Sequence, residues 1–238
     1  MAEFRNAIPG REAAGVDTID LGLRSYMLGV YNFMVIGLGI TGLAAYALFA
    51  TGLIVPLVTS GMMWLPMLAS LGIVLYMSFR AEAMSSSTAQ LLFYTYAAVL
   101  GAGLAPIFLV YATASIAKVF FITAAAFGAL SIYGYTTSRD LDAFRSFLIM
   151  GLFGVLIAIV VNLFLASPAL DFAISIAGVL VFAGLTAWDT QKIKESYYVH
   201  GGQGEAAAKS SIFGALALYL DFINMFLFLL RLFGSSRN

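Results

Sequence analysis

The chain has 238 residues, of which 62% are hydrophobic and only 10% charged, and its formal net charge is zero. Soluble domains carry about 25% charged residues, so this balance, with a mean hydropathy of +0.97, excludes an ordinary soluble domain. The absence of a basic excess excludes a nucleic-acid partner, and the absence of cysteine excludes disulfides, thiolate metal sites and a cysteine nucleophile.

The first 24 residues are polar, of mixed charge, and contain Pro9-Gly10, which reads as a cytoplasmic tail. No short apolar run ending in a small-residue cleavage site precedes the first span, so no cleavable signal peptide is expected. Residues 25–238 read as a single transmembrane domain. No charged residue occurs from Ser25 to Phe79, from Ala83 to Ala117, from Val119 to Ser138 or from Ser146 to Leu170. A membrane-crossing helix needs about 20 mostly apolar residues, so each stretch holds at least one crossing and the first holds two.

In chain order, the first span is expected over 26–49, with a turn at 50–56 carrying Gly52 and Pro56. The second runs to Phe79 and closes at Arg80. A polar patch with Ser85-Ser86-Ser87 separates it from the third, over 89–111, which carries Pro106 late. The fourth covers 115–135, the fifth 147–166 and the sixth 169–191. The most polar stretch, 192–209, follows, and then a last apolar segment, 210–233, interrupted by Asp221, Asn224 and Arg231. The expected class is an all-α membrane protein, with six clear spans and a seventh that carries charge.

Lys and Arg in short loops set orientation. They collect in the tail, at Arg80, at Arg139 and Arg145, and at Lys192, Lys194 and Lys209, which predicts a cytoplasmic amino terminus. Arg231 and Arg237 then lie on the opposite side, against the rule, which leaves a re-entrant last segment or a six-span arrangement open. Glycines inside spans read as packing positions. Tyr26, Trp64, Tyr111 and Tyr135 read as interface anchors.

Ionisable groups within spans are costly and face the bundle interior or water. Lys118 and Arg231 lie near span ends and can snorkel. Asp189 lies three residues before Lys192 and admits a plain reading as an interfacial ion pair. Asp221 has eleven uncharged residues before it and nine after it. A carboxylate at mid-span costs about 2.5–3.5 kcal/mol on insertion scales, so it must be neutral, paired or hydrated. Asn224, at i+3, shares its helix face and can supply a supporting polar contact. If Asp189 and Asp221 meet, two carboxylates in a low-dielectric site cannot easily both ionise, and the pair shares a proton. Arg80 could pair with either and act as a latch.

The run Leu218-Tyr219-Leu220-Asp221-Phe222-Ile223-Asn224 resembles the last-helix signature of the Bax inhibitor-1 family. Trp188-Asp189-Thr190-Gln191-Lys192-Ile193 is similar to its motif ending the sixth helix. Tyr94-Thr95-Tyr96-Ala97 and Tyr133-Gly134-Tyr135-Thr136 also fit, and the likeness covers nearly the whole chain, nearest to the bacterial branch. The resemblance implies six helices around a central C-terminal seventh, in the bacterial inner membrane. It implies a pH-sensitive calcium leak gated by an aspartate dyad, for which Asp189 and Asp221 match, with Arg80 matching the latch. Calcium would be a permeant ion held weakly and transiently by the two carboxyls, with no tightly bound cofactor. Some family members carry an acid about three turns earlier on the second helix, where this chain has Met67-Leu68-Ala69-Ser70-Leu71.

An aspartyl intramembrane protease would need Gly-x-Gly-Asp at its second aspartate, which Leu218-Tyr219-Leu220 does not supply. No His-Glu-x-x-His occurs, and His200, the only histidine, is expected in a loop. The chain therefore reads as a non-enzyme. The alternative is a non-transporting regulator that binds other membrane proteins, such as a quality-control protease. The partners expected on either reading are the lipid bilayer, calcium ions and protons, and membrane proteins.

Overall fold

A computed structural model describes residues 10–200 and 204–237. They form α1 (Gly10–Ala50), α2 (Ile54–Thr59), α3 (Trp64–Phe79), α4 (Ser86–Leu104), α5 (Ile107–Val110), α6 (Thr113–Thr136), α7 (Asp142–Leu165), α8 (Pro168–His200) and α9 (Gly204–Phe233). Among the described residues the only β feature is an isolated bridge between Tyr111 and Ser236. Among the described residues six helical segments are long and apolar enough to cross a membrane: Leu21–Ala50, Ser86–Val110, Thr113–Thr136, Asp142–Leu165, Pro168–Val199 and Gly204–Phe233.

Several expected boundaries move. Helix α1 starts at Gly10, inside the segment read as a tail; residues 1–9 lie outside the described ones. The expected second span divides into α2 and α3, because Gly61 takes a positive φ of 69° that ends the first helical run. What remains, α3, has 16 residues, about 24 Å of helix, short of the roughly 30 Å hydrocarbon layer. It still packs antiparallel on α4, with its start against Gly103 near the α4 carboxyl end, so the chain changes ends there. Pro106 interrupts the third span between α4 and α5, since proline has no N–H to continue the ladder. The expected polar loop after Gln191 is mostly helix, because α8 runs on to His200 and α9 starts at Gly204. His200 therefore ends a helix, and Gly201-Gly202 lie outside the described residues.

Local chemistry explains the sharper ends. Ser85 caps α4 by accepting a hydrogen bond from the Thr88 N–H at 3.2 Å. After α7, Ala166 takes the left-handed conformation, Asn162 Oδ1 accepts from the Ser167 N–H at 3.0 Å, and Pro168 opens α8.

The last segment is a continuous helix, and it is the most buried element of the bundle. Helix α9 packs against α1, α4, α6 and α8. Helix α3 leans chiefly on α4 and α7 on α8, so four helices rather than six make the main contact with α9. The outer surface suits lipid: on α7 alone, Phe147, Met150, Phe153, Ile157, Leu163 and Phe164 are all exposed. A helix apolar all round with so little of it buried needs an apolar solvent.

One joint fixes α9 against α1 and α4. The Thr41 hydroxyl lies 3.0 Å from the Gly37 carbonyl, 2.9 Å from that of Ala97, and against the Tyr219 hydroxyl. A threonine has one proton to give, so it donates to a carbonyl and Tyr219 donates to Thr41. Phe93 and Tyr96 meet the Tyr219 ring edge-on, at 5.5 and 5.8 Å between centroids. Thr41→Val keeps the volume but strands the buried Tyr219 hydroxyl. The expected loss is about 1–3 kcal/mol, read as a lowered thermal unfolding temperature in detergent; an unchanged midpoint would show that the joint is not structural.

Candidate functional site

Asp221 lies midway along α9 and is only 4% exposed. Its helix face is set by the joint just described, since Tyr219 anchors α9 two residues earlier. Asp189 lies on α8, half-buried, with its carboxyl group beside that of Asp221 and within reach of a hydrogen bond to it. Carboxylates only accept hydrogen bonds, so a bond between the two would need a shared proton. Asp221 Oδ2 is fully buried and has no N–H or O–H donor beside it.

No cation neutralises the pair among the described residues. The plain reading of Asp189 as an ion pair with Lys192 fails: Lys192 instead meets Asp142 and Glu195 on the surface. Asp189 faces α9, whereas the longer Lys192 side chain reaches outward, where Trp188 Nε1 also donates to Asp142 at 2.8 Å. The Arg80 latch is not formed either. Arg80 caps the end of α3, is exposed, and pairs with neither aspartate. Asn224 does not reach the pair through its amide N–H, which donates back to the Leu220 carbonyl at 2.8 Å.

A second polar chain runs beside the pair. Thr190 donates to the Thr186 carbonyl at 2.7 Å, so Ser131 donates to Thr190 at 3.0 Å and the Tyr31 hydroxyl donates to Ser131 at 3.0 Å. It links α1, α6 and α8 next to Asp189. Below it, Gln191 accepts from the Leu141 N–H and donates to the Arg139 carbonyl, both at 2.9 Å, tying the α6–α7 loop to α8. Thr41, Ser131 and Tyr31 are polar contacts between helices near the pair that sequence reasoning missed. The available signal was polar residues within apolar spans, which is weak because a lone hydroxyl can bond its own helix.

The charged ends of the bundle differ. Arg24, Arg80, Arg139, Arg145, Lys192, Lys194 and Lys209 lie at the end where α1 enters and α8 finishes. At the other end Arg231 pairs with Asp171 at 3.5 Å, and Arg237 donates to the Phe108 carbonyl while covering the Phe49 ring. Tyr26, expected as an interface anchor, is instead buried at the first end, donating to Ser210 at 3.0 Å.

Residues 23–238 match the family described as Inhibitor of apoptosis-promoting Bax1. The chain belongs to this Bax inhibitor family. An uncharacterized protein of Rickettsia prowazekii, RP147, is 49% identical, over 93% of this chain and 94% of that protein. The inner membrane protein YbhL of Escherichia coli is 43% identical, over 91% of this chain and 94% of YbhL. An uncharacterized protein of Caulobacter vibrioides is 44% identical, over 92% of each chain. This Bax inhibitor protein is thus a helical membrane protein with a carboxyl pair in its interior. Among its described residues no group of three or more His, Cys, Asp or Glu could hold a metal ion.

Proposed function

We propose that this Bax inhibitor family protein is a pH-sensitive calcium leak of a bacterial inner membrane, with Asp189 and Asp221 as its gate. The observation that carries the reading is the buried contact between those two carboxyls with no cation beside them. While the pair shares one proton, α8 and α9 are held together across it. Loss of that proton leaves two like charges in a low-dielectric site, where repulsion is strong. The helices then separate, or a cation enters. Calcium takes 6–8 oxygen ligands; two carboxyls and water make a weak site, which suits an ion that has to leave again.

Seven apolar helices make the crossing, with α3 completing the count, and the amino terminus faces the cytoplasm on the strength of the Lys and Arg gathered at that end. The inner membrane assignment follows YbhL. The test is calcium entry into proteoliposomes of pure protein, read with an internal indicator. Entry should be faster at pH 8 than at pH 6, the window in which such pairs lose a proton, roughly. A flux that fell with rising pH would reverse the gating sense. No flux in several lipid compositions would end the leak reading.

A further inference from the structure

Helices α1 and α6 both pack on α9 but not closely on each other. Between them a cleft of about 1270 Å³ opens sideways, floored by Phe222 of α9. A smaller cavity of about 310 Å³ continues it, sharing Leu38, Gly42, Phe120 and Phe222. Its walls are held back by missing side chains. At Gly39, Gly42 and Gly128 nothing lies within 4 Å of where a Cβ would stand.

The polarity of the lining runs one way. Arg24, Tyr31, Ser131 and Tyr135 sit together at the end where α1 enters the bundle, and the rest of the larger cleft is apolar. A second cation stands at that rim. Lys194 donates to the Tyr135 carbonyl at 2.8 Å and lies 5.2 Å from its ring. The α1 wall of the larger cleft runs from Arg24 to Leu43, about 28 Å of helix, room for a headgroup and an extended acyl chain within the roughly 30 Å hydrocarbon layer.

We infer that this cleft holds one anionic phospholipid, with its phosphate at Arg24 and Lys194 and an acyl chain lying along α1 and α6 over Phe222. Cations at one end and an apolar floor beyond match a headgroup and a chain. An all-apolar transmembrane helix of a partner would offer these two cations no anionic group. Because Ser131 on the cleft wall bonds Thr190, next in sequence to Asp189, the occupant touches the polar chain beside the carboxyl pair.

The test is native mass spectrometry of the whole protein released from nanodiscs of equal phosphatidylglycerol and phosphatidylcholine. One retained phosphatidylglycerol is expected. Gly128→Leu and Gly39→Leu, filling the cleft from opposite walls, should each cut retention about tenfold. Arg24→Gln should lower the preference for the anionic lipid about fivefold while phospholipid is still retained. Wild-type protein retaining both lipids equally, or retention unaffected in both filled variants, would overturn the site. Because the chain has no cysteine, Gly39→Cys gives a clean second check. A disulfide-linked dimer of that variant in membranes would assign the cleft to a second copy and overturn the lipid.

Discussion

Asp221→Asn is expected to abolish the pH dependence of calcium entry, reducing a change of about tenfold between pH 6 and 8 to less than about twofold. The substitution is nearly isosteric, and it keeps a hydrogen bond available, because an amide N–H can donate to the Asp189 carboxylate. What it removes is the second ionisable group, and with it the like-charge repulsion that deprotonation would create. Helix α9 should stay in place: its neighbours on α1, α4, α6 and α8 are unchanged, and a neutral buried group is less costly than a charge. Circular dichroism and the thermal midpoint should therefore match wild type. Asp189→Asn should flatten the profile in the same way. If either variant keeps the wild-type pH profile with intact fold, the sensor lies elsewhere. If both flux and fold are lost, Asp189→Asn, at the less buried position, decides between them.

The largest structural effect is expected at Gly134. A Cβ there would lie 2.2 Å from the Ala187 carbonyl oxygen and within 3.0 Å of the Ala187 carbonyl carbon and Cα. These are backbone atoms of α8, which have no rotamer to yield. Gly134→Val forces α6 away from α8. Both the Ser131–Thr190 bond and the Lys194–Tyr135 bond cross this interface and would be strained with it. A loss of about 2–3 kcal/mol or more follows, seen as a thermal unfolding midpoint lowered by several degrees and as reduced yield in membranes. Gly154→Val is the matched control, because nothing lies within 4 Å of its Cβ position. Equal midpoints for the two variants would show that the α6–α8 approach is not limiting.

The two predictions rest on residues that were legible to very different degrees. Asp221 stood out at once, since no loop or interface could absorb a carboxyl with apolar chain on both sides. Gly134 lies within a motif that carried the family resemblance, yet nothing in the sequence distinguished it from Gly154. The difference is which helix lies opposite, and that is decided by long-range packing. Arg80 shows the reverse failure. Resemblance placed it on the pair, but Arg80 ends α3, which leans chiefly on α4 and not on α9, and its side chain is exposed. The break that shortens α3 comes from Gly61, whose positive φ ends a helical run that apolar composition alone would have continued.

The sequence by itself determined the membrane class, the approximate positions of the apolar helices and the one carboxyl that had to be neutralised. Those follow from transfer energies, which depend on residue type and run length and not on neighbours. Tertiary structure alone decided that Asp189 faces Asp221 and not Lys192, and that Tyr219 and Thr41 hold α9 in the orientation that brings the two together. Contact between side chains on different helices depends on helix rotation and approach. Both are set by packing against every neighbour at once, which no single stretch of chain encodes. The uncharged runs named the solvent of this protein; the packing of α8 against α9 placed its two aspartates together.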